Sequence, residues 1–89
     1  MARTTRKNGK NGKPRAHRDR RRDVLRELGE KVRTYRHERG LTQEALAESL
    51  DLSVAYVSLI ERGGRNPPYT TVVAIAHALG VSPRDICAD

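Results

Sequence analysis

An all-α fold is expected for this chain, and three observations carry the expectation. With three Tyr and neither Phe nor Trp, any core must be built from Leu, Val, Ile and Ala, which suits packed helices. From Leu25 onward apolar residues recur at three- and four-residue steps, and no period-two strand pattern interrupts them. Helix caps and stops fall between these runs at short intervals. Together they predict a compact five-helix domain near the lower size limit for independent stability, too small to enclose a ligand pocket.

The first helix begins between Ala16 and Val24, carries Leu25, Leu28, Val32 and Tyr35 on one face, and stops at Gly40. Thr42 caps the second, with Glu44 in its first turn against the helix dipole and Leu46, Ala47 and Leu50 as its short apolar stripe. Asp51-Leu52-Ser53 breaks that helix, and Ser53 caps a third that turns Val57 and Ile60 inward and ends at Gly63-Gly64. Asn66-Pro67-Pro68 is a loop. The fourth helix, Tyr69 to Leu79, is almost wholly apolar and closes at Gly80, and Ser82-Pro83-Arg84-Asp85 starts a fifth. Three residues between the second and third helices force a sharp crossing, so one helix can be held while the other projects. That is helix-turn-helix geometry, in which the projecting helix enters a major groove about 12 Å wide.

Charge divides the chain in two. The formal net charge is +7, but residues 1–23 hold ten Lys and Arg against Asp19 and Asp23, a net of +8, and the remainder is −1. The basic segment has almost nothing apolar to bury, so residues 1–22 are expected to form a flexible basic arm, disordered to about residue 16 and open to helix near its end, and residues 23–89 the folded domain. Such a balance points to a polyanionic partner. Cys87 alone excludes an internal disulfide and acts as a small apolar residue. No apolar run approaches a membrane span and no secretion signal is visible, so a cytoplasmic, nucleoid-associated protein of bacterial or phage type is expected, with no membrane partner.

The strings Gly40-Leu41-Thr42-Gln43-Glu44-Ala45-Leu46-Ala47, Leu52-Ser53, Tyr56-Val57-Ser58-Leu59-Ile60-Glu61-Arg62-Gly63, Arg65-Asn66-Pro67 and Ala78-Leu79-Gly80-Val81 follow one another in order. In this order they resemble the phage repressor and Cro-type (XRE-like) helix-turn-helix family over about residues 25–87. The resemblance implies a lambda-repressor-like fold, sequence-specific binding of double-stranded DNA by the third helix, and regulation of transcription at an operator, usually as a two-fold dimer. It further implies phosphate contacts from Thr42 and Gln43 at the start of the second helix, and from Ser58, Arg62, Arg65 and Asn66 at and after the third. It also implies a structural salt bridge between Arg36 and Glu61. The sequence departs from the family where Asp51 stands in the usual place of Gly; Asp enters the left-handed conformation at modest cost, so the turn is expected to survive.

The residues expected to read bases are Ser53, Val54, Ala55, Tyr56 and Leu59, none of them the Arg, Lys, Asn or Gln that contacts guanine or adenine in bidentate fashion. A weakly discriminating reader that favours thymine methyls follows, although Tyr56 could instead pack or meet a phosphate and Leu59 could cover core. Affinity would then come from the arm, through Arg15, Arg18, Arg20, Arg21 and Arg22. For the dimer, the expected surface is Val81 to Cys87 with Ile86 at its centre, unless Val81 and Ile86 merely close the core. His17, His37 and His77 fall on separate segments, and no nucleophile, carboxylate pair or phosphate loop is present, so neither catalysis, metal, cofactor nor small-molecule ligand is expected. Two alternatives to a stand-alone operator-binding regulator stay open: a restriction-modification controller, and an antitoxin whose main partner is a toxin protein.

Overall fold

The computed structural model describes residues 17–87, with side chains from residue 19; the predicted disordered stretch and Arg15 lie outside the described residues. Five helices follow in order: α1 His17–Glu38, α2 Gln43–Leu50, α3 Val54–Glu61, α4 Tyr69–Leu79 and α5 Pro83–Ile86. Among the described residues there is no strand.

The predicted punctuation forms as local chemistry. Thr42 Oγ1 accepts from the Ala45 N–H at 3.0 Å, and Ser53 Oγ accepts from the Tyr56 N–H at 3.0 Å. At the start of α5 the Asp85 carboxylate reaches back to accept from the Ser82 N–H at 2.8 Å. Asp51 adopts φ 57°, ψ 40°, the left-handed conformation expected of the turn, and its N–H closes α2.

One core joins the helices. Leu28 and Val32 of α1, Leu46 and Ala47 of α2, Val57 and Ile60 of α3, Val72, Ile75, Ala76 and Leu79 of α4, and Ile86 of α5 are all buried. Ile86 is 0% exposed and closes the bottom of this core, so it is not the centre of an outward pairing surface; the aliphatic side chain does more for stability inside than at an edge. α1 packs on α3, α4 and α5, and α2 packs on α3 and α4.

Two glycines set how closely α1 approaches α3. A Cβ on Gly29 would collide with the Ile60 carbonyl oxygen and lie 2.5 Å from that of Glu61, so only the bare backbone lets the helices meet here. Gly63, at φ 76°, repeats the device: a Cβ there would stand 2.9 Å from Arg26 Cα.

Candidate nucleic-acid interface

α3 is buried along one side and free along the other. Val57, Ile60 and Glu61 face inward, whereas Ser53, Val54 and Ala55 are exposed and Tyr56, Ser58 and Leu59 are half-buried. The structure therefore divides the predicted base readers. Val54, 39% exposed, and Ala55 project from the first turn. Ser53 sits beside them with its hydroxyl oxygen engaged as the helix cap, its O–H remaining available to donate.

Tyr56 and Leu59 lean back toward the protein. The Arg65 guanidinium lies over the Tyr56 ring at 5.9 Å, a cation–π arrangement that ties the loop after α3 to its first turn. Leu59 packs against Gly64, whose N–H donates to the Leu59 carbonyl at 2.8 Å. Asp51, Leu52, Ser53, Ala55, Tyr56, Leu59 and Arg65 line a shallow depression on this surface. The packing role weighed for Tyr56 is thus realised, since its ring also rests against the core, and the Tyr56–Arg65 pairing had no local signal in the sequence.

The other end of α3 is locked. Arg36 Nε donates to Glu61 Oε2 at 2.6 Å and Nη2 to Oε1 at 3.1 Å, with both residues buried. Arg36 Nη1 also donates to the Leu41 carbonyl at 2.8 Å, fixing the chain that enters α2. Gln43 Nε2 donates to Glu61 Oε1 at 2.9 Å. Burial pushes the Glu61 carboxyl up, but the hydrogen bonds from Arg36 and Gln43 and the charges of Arg36 and Arg33 outweigh it and hold Glu61 below its ordinary range. The salt bridge that the resemblance implied is present. Gln43, expected at a phosphate, spends one amide N–H on Glu61 and keeps a second.

The remaining polar candidates are spread over the surface. Thr42 is exposed at the start of α2. Arg62 is exposed and folds back, Nε donating to the Ser58 carbonyl at 3.3 Å, while Asn66 is exposed on the loop. Of the arm residues, Arg20, Arg21 and Arg22 are exposed on the first turns of α1, and Arg18 belongs to the same helix. Arg22 Nη2 is paired with Asp19 Oδ1 at 3.0 Å. Residues 17–22 are helical and continuous with the domain, so α1 starts near the early end of the expected Ala16-to-Val24 range: with Pro absent and helix formers throughout, the segment extends a helix already nucleated by packing.

Among the described residues no group of three or more His, Cys, Asp or Glu could hold a metal ion, and no helix is long and apolar enough to cross a membrane.

Two short helices crossing over a three-residue turn, the second fixed at its end and bare along its outer side, define a helix-turn-helix protein. Residues 27–86 match the family model described as a helix-turn-helix domain, and the chain belongs to that family. It is 44% identical over 60 residues to the control protein C.BamHI of Bacillus amyloliquefaciens, covering 66% of this chain and 74% of that protein. A match of 44% identity over 54 residues to the immunity repressor protein of Bacillus phage phi105 covers 61% of this chain but only 38% of the repressor. Among solved structures, the restriction-modification controller protein C.AhdI from Aeromonas hydrophila superposes with a TM-score of 0.67 at 37% identity, over 70% of this chain and 94% of that one. The controller C.Esp1396I, solved as a tetramer in complex with its 35 base-pair operator, superposes with a TM-score of 0.62 at 36% identity, over 66% and 78% of the two chains.

Proposed function

We propose that this chain is a sequence-specific double-stranded DNA-binding regulator of transcription, acting at an operator through α3. The observation that carries the reading is the asymmetry of α3: its back and end are immobilised by core and salt bridge, and its outer first turn presents Val54 and Ala55 to solvent. Preorganisation of a projecting helix is what major-groove reading requires, because ordering it on contact would subtract from affinity.

In this reading Ser53, Val54 and Ala55 meet base edges, with Tyr56 and Leu59 at the margin of the contact. The apolar pair favours thymine methyls, which makes base discrimination modest. Thr42, Gln43, Ser58, Arg62, Arg65 and Asn66 hold the phosphates on either side, while Arg15, Arg18, Arg20, Arg21 and Arg22 supply charge from the amino-terminal segment. Similarity to an immunity repressor and to control proteins alike supports operator binding as the shared activity.

The same reading includes a homodimer on an inverted repeat, since one module buries only roughly 600 to 1,000 Å² against DNA. With Ile86 committed to the core, the outward side of α4 is the pairing surface. Tyr69 and Val73 are 69% and 37% exposed there, and α4 contains no Lys, Arg, Asp or Glu, in keeping with the depletion of charged residues at the core of an interface. Selection of sites from random duplexes tests the function. An inverted repeat should emerge, and the V54E/A55E double variant should lose it while staying folded; a variant that still selects the same site removes α3 from the reading role.

A further inference from the structure

Helical register places residues 22, 26, 29, 33 and 36 within an arc of about 80° on α1, and apart from Gly29 every one of them is Arg. Contacts show what this face meets. At its carboxyl half, Gly29 lies on the last carbonyls of α3, Arg36 pairs with Glu61 and the charge of Arg33 acts on Glu61. One turn toward the amino terminus, Gly63 touches Arg26 Cα. Beyond that point α3 has ended, yet α1 runs on through nine further residues to His17, about 13 Å of helix. Arg22 is exposed on this overhang and Arg26 at its root, on the face that meets the loop carrying Arg62 and Arg65.

We infer that the amino-terminal turns of α1 form a rigid cationic spar whose Arg22 and Arg26 grip the phosphate backbone of duplex flanking the segment that α3 reads. The inference rests on the proposed entry of α3 into the major groove. The close approaches at Gly29 and Gly63 fix the angle between spar and α3, so the two contacts occur at a set separation along the duplex. Guanidinium groups suit phosphate because their N–H forks pair with two oxygens at once. Within the spar, Asp19 competes for Arg22 and is displaced when phosphate binds.

The test measures fluorescence anisotropy of labelled duplexes against salt, using the selected site and a random sequence, each long and trimmed to the core site. For R22Q/R26Q the slope of log affinity against log salt should flatten by about 2 on both long duplexes, since each phosphate contact is worth roughly 0.9. Preference for the selected site over the random one should stay unchanged. The lysine version, R22K/R26K, should keep most of the slope, D19N should bind more tightly, and R84Q, on α5, should leave the slope as it was. Trimming the flanks should cost the parent more affinity than it costs R22Q/R26Q, which keeps Arg18, Arg20 and Arg21 on the same helix. Helical circular dichroism confirms that the exposed substitutions leave the fold intact.

An unchanged slope in R22Q/R26Q, equal flattening by R84Q, or an equal loss on trimming in parent and variant would each overturn the spar. Failure of the α3 reading looks different: the parent would show no preference for any sequence, or V54E/A55E would retain one. A parent that binds no duplex overturns both.

Discussion

The two ends of α3 are built on opposite principles. Its carboxyl end is buried, charged and hydrogen-bonded in several directions: Glu61 receives Arg36 twice and Gln43 once, and Gly29 admits the backbone of α1 against it. Its amino end is exposed, carries no charged side chain of its own, and is held by the Ser53 cap and the Arg65 guanidinium over Tyr56. Strong polar chemistry has been used to hold the helix, and weak apolar chemistry is left at the surface offered to a partner. In such a molecule, substitutions at the held end should change stability first, and substitutions at the free end should change binding alone.

The largest effect is expected at the held end. Removing one member of a buried ion pair strands the other, at a cost of about 3 to 5 kcal/mol. Arg36→Ala should therefore remove a large share of the stability of so small a domain, read as a fall in the urea midpoint. It would also release Leu41 and the start of α2. A midpoint unchanged within error would show that the network is incidental.

At the free end the V54E/A55E double variant should behave in reverse. Two carboxylates aimed at a polyanion should reduce affinity for the selected duplex at least about 100-fold, equivalent to roughly 2.7 kcal/mol, while the urea midpoint stays near that of the parent. Equal losses in stability and binding would erase the distinction between the two ends. Gly29→Ala comes next, at about 1 to 3 kcal/mol, because the added methyl must push apart two helix backbones that have no flexible side chain to yield.

These cases show what was legible in the sequence. Thr42, Ser53, Asp51 and the five helices announce themselves through neighbours three or four residues away, so local patterning locates them. Arg36 and Glu61 stand 25 residues apart, and nothing local links them; only resemblance to a family suggested the pair. Gly29 carries no signal at all, since one Gly inside a helical run reads as a tolerated weakness until the opposing carbonyls are seen. Ile86 stood between two readings for a related reason: an apolar residue near a chain end reads equally as edge or core, and the packing of α5 against α1 and α4 decides it. For Arg20 to Arg22 composition suggested an arm and helix propensity a helix, and their continuity with α1 depends on a helix already anchored downstream.

Acid should separate the ends again, with a smaller effect. The folded value of Glu61 lies below its unfolded value near 4.5, so its contribution is fully present above that value and is lost as pH falls through the folded one. The gap in urea midpoint between the parent and Glu61→Gln should accordingly narrow as pH is lowered from about 5 toward 3. A constant gap over that range would mean that Glu61 keeps the same proton affinity in both states.

The smallest effect lies at the turn between α2 and α3, where Asp51 is the one positive-φ residue other than Gly among the described residues. Replacing it with Gly relieves a left-handed backbone worth roughly 1 to 2 kcal/mol for most side chains and less for Asp. The same change enlarges the freedom of the unfolded chain, which costs about 0.5 to 1 kcal/mol. The balance is therefore close, and Asp51→Gly should shift the urea midpoint by less than the equivalent of about 1 kcal/mol in either direction. Its binding effect should have a definite sign, because Asp51 lines the rim beside Ser53, Ala55 and Arg65. Removing that carboxylate takes away an anion next to the surface proposed to meet phosphate, so affinity should rise, most clearly at low salt where screening is weakest. An affinity that falls while stability holds would mean that Asp51 meets the duplex directly, accepting a hydrogen bond from an exposed base, and would move the reading surface from the helix into the turn.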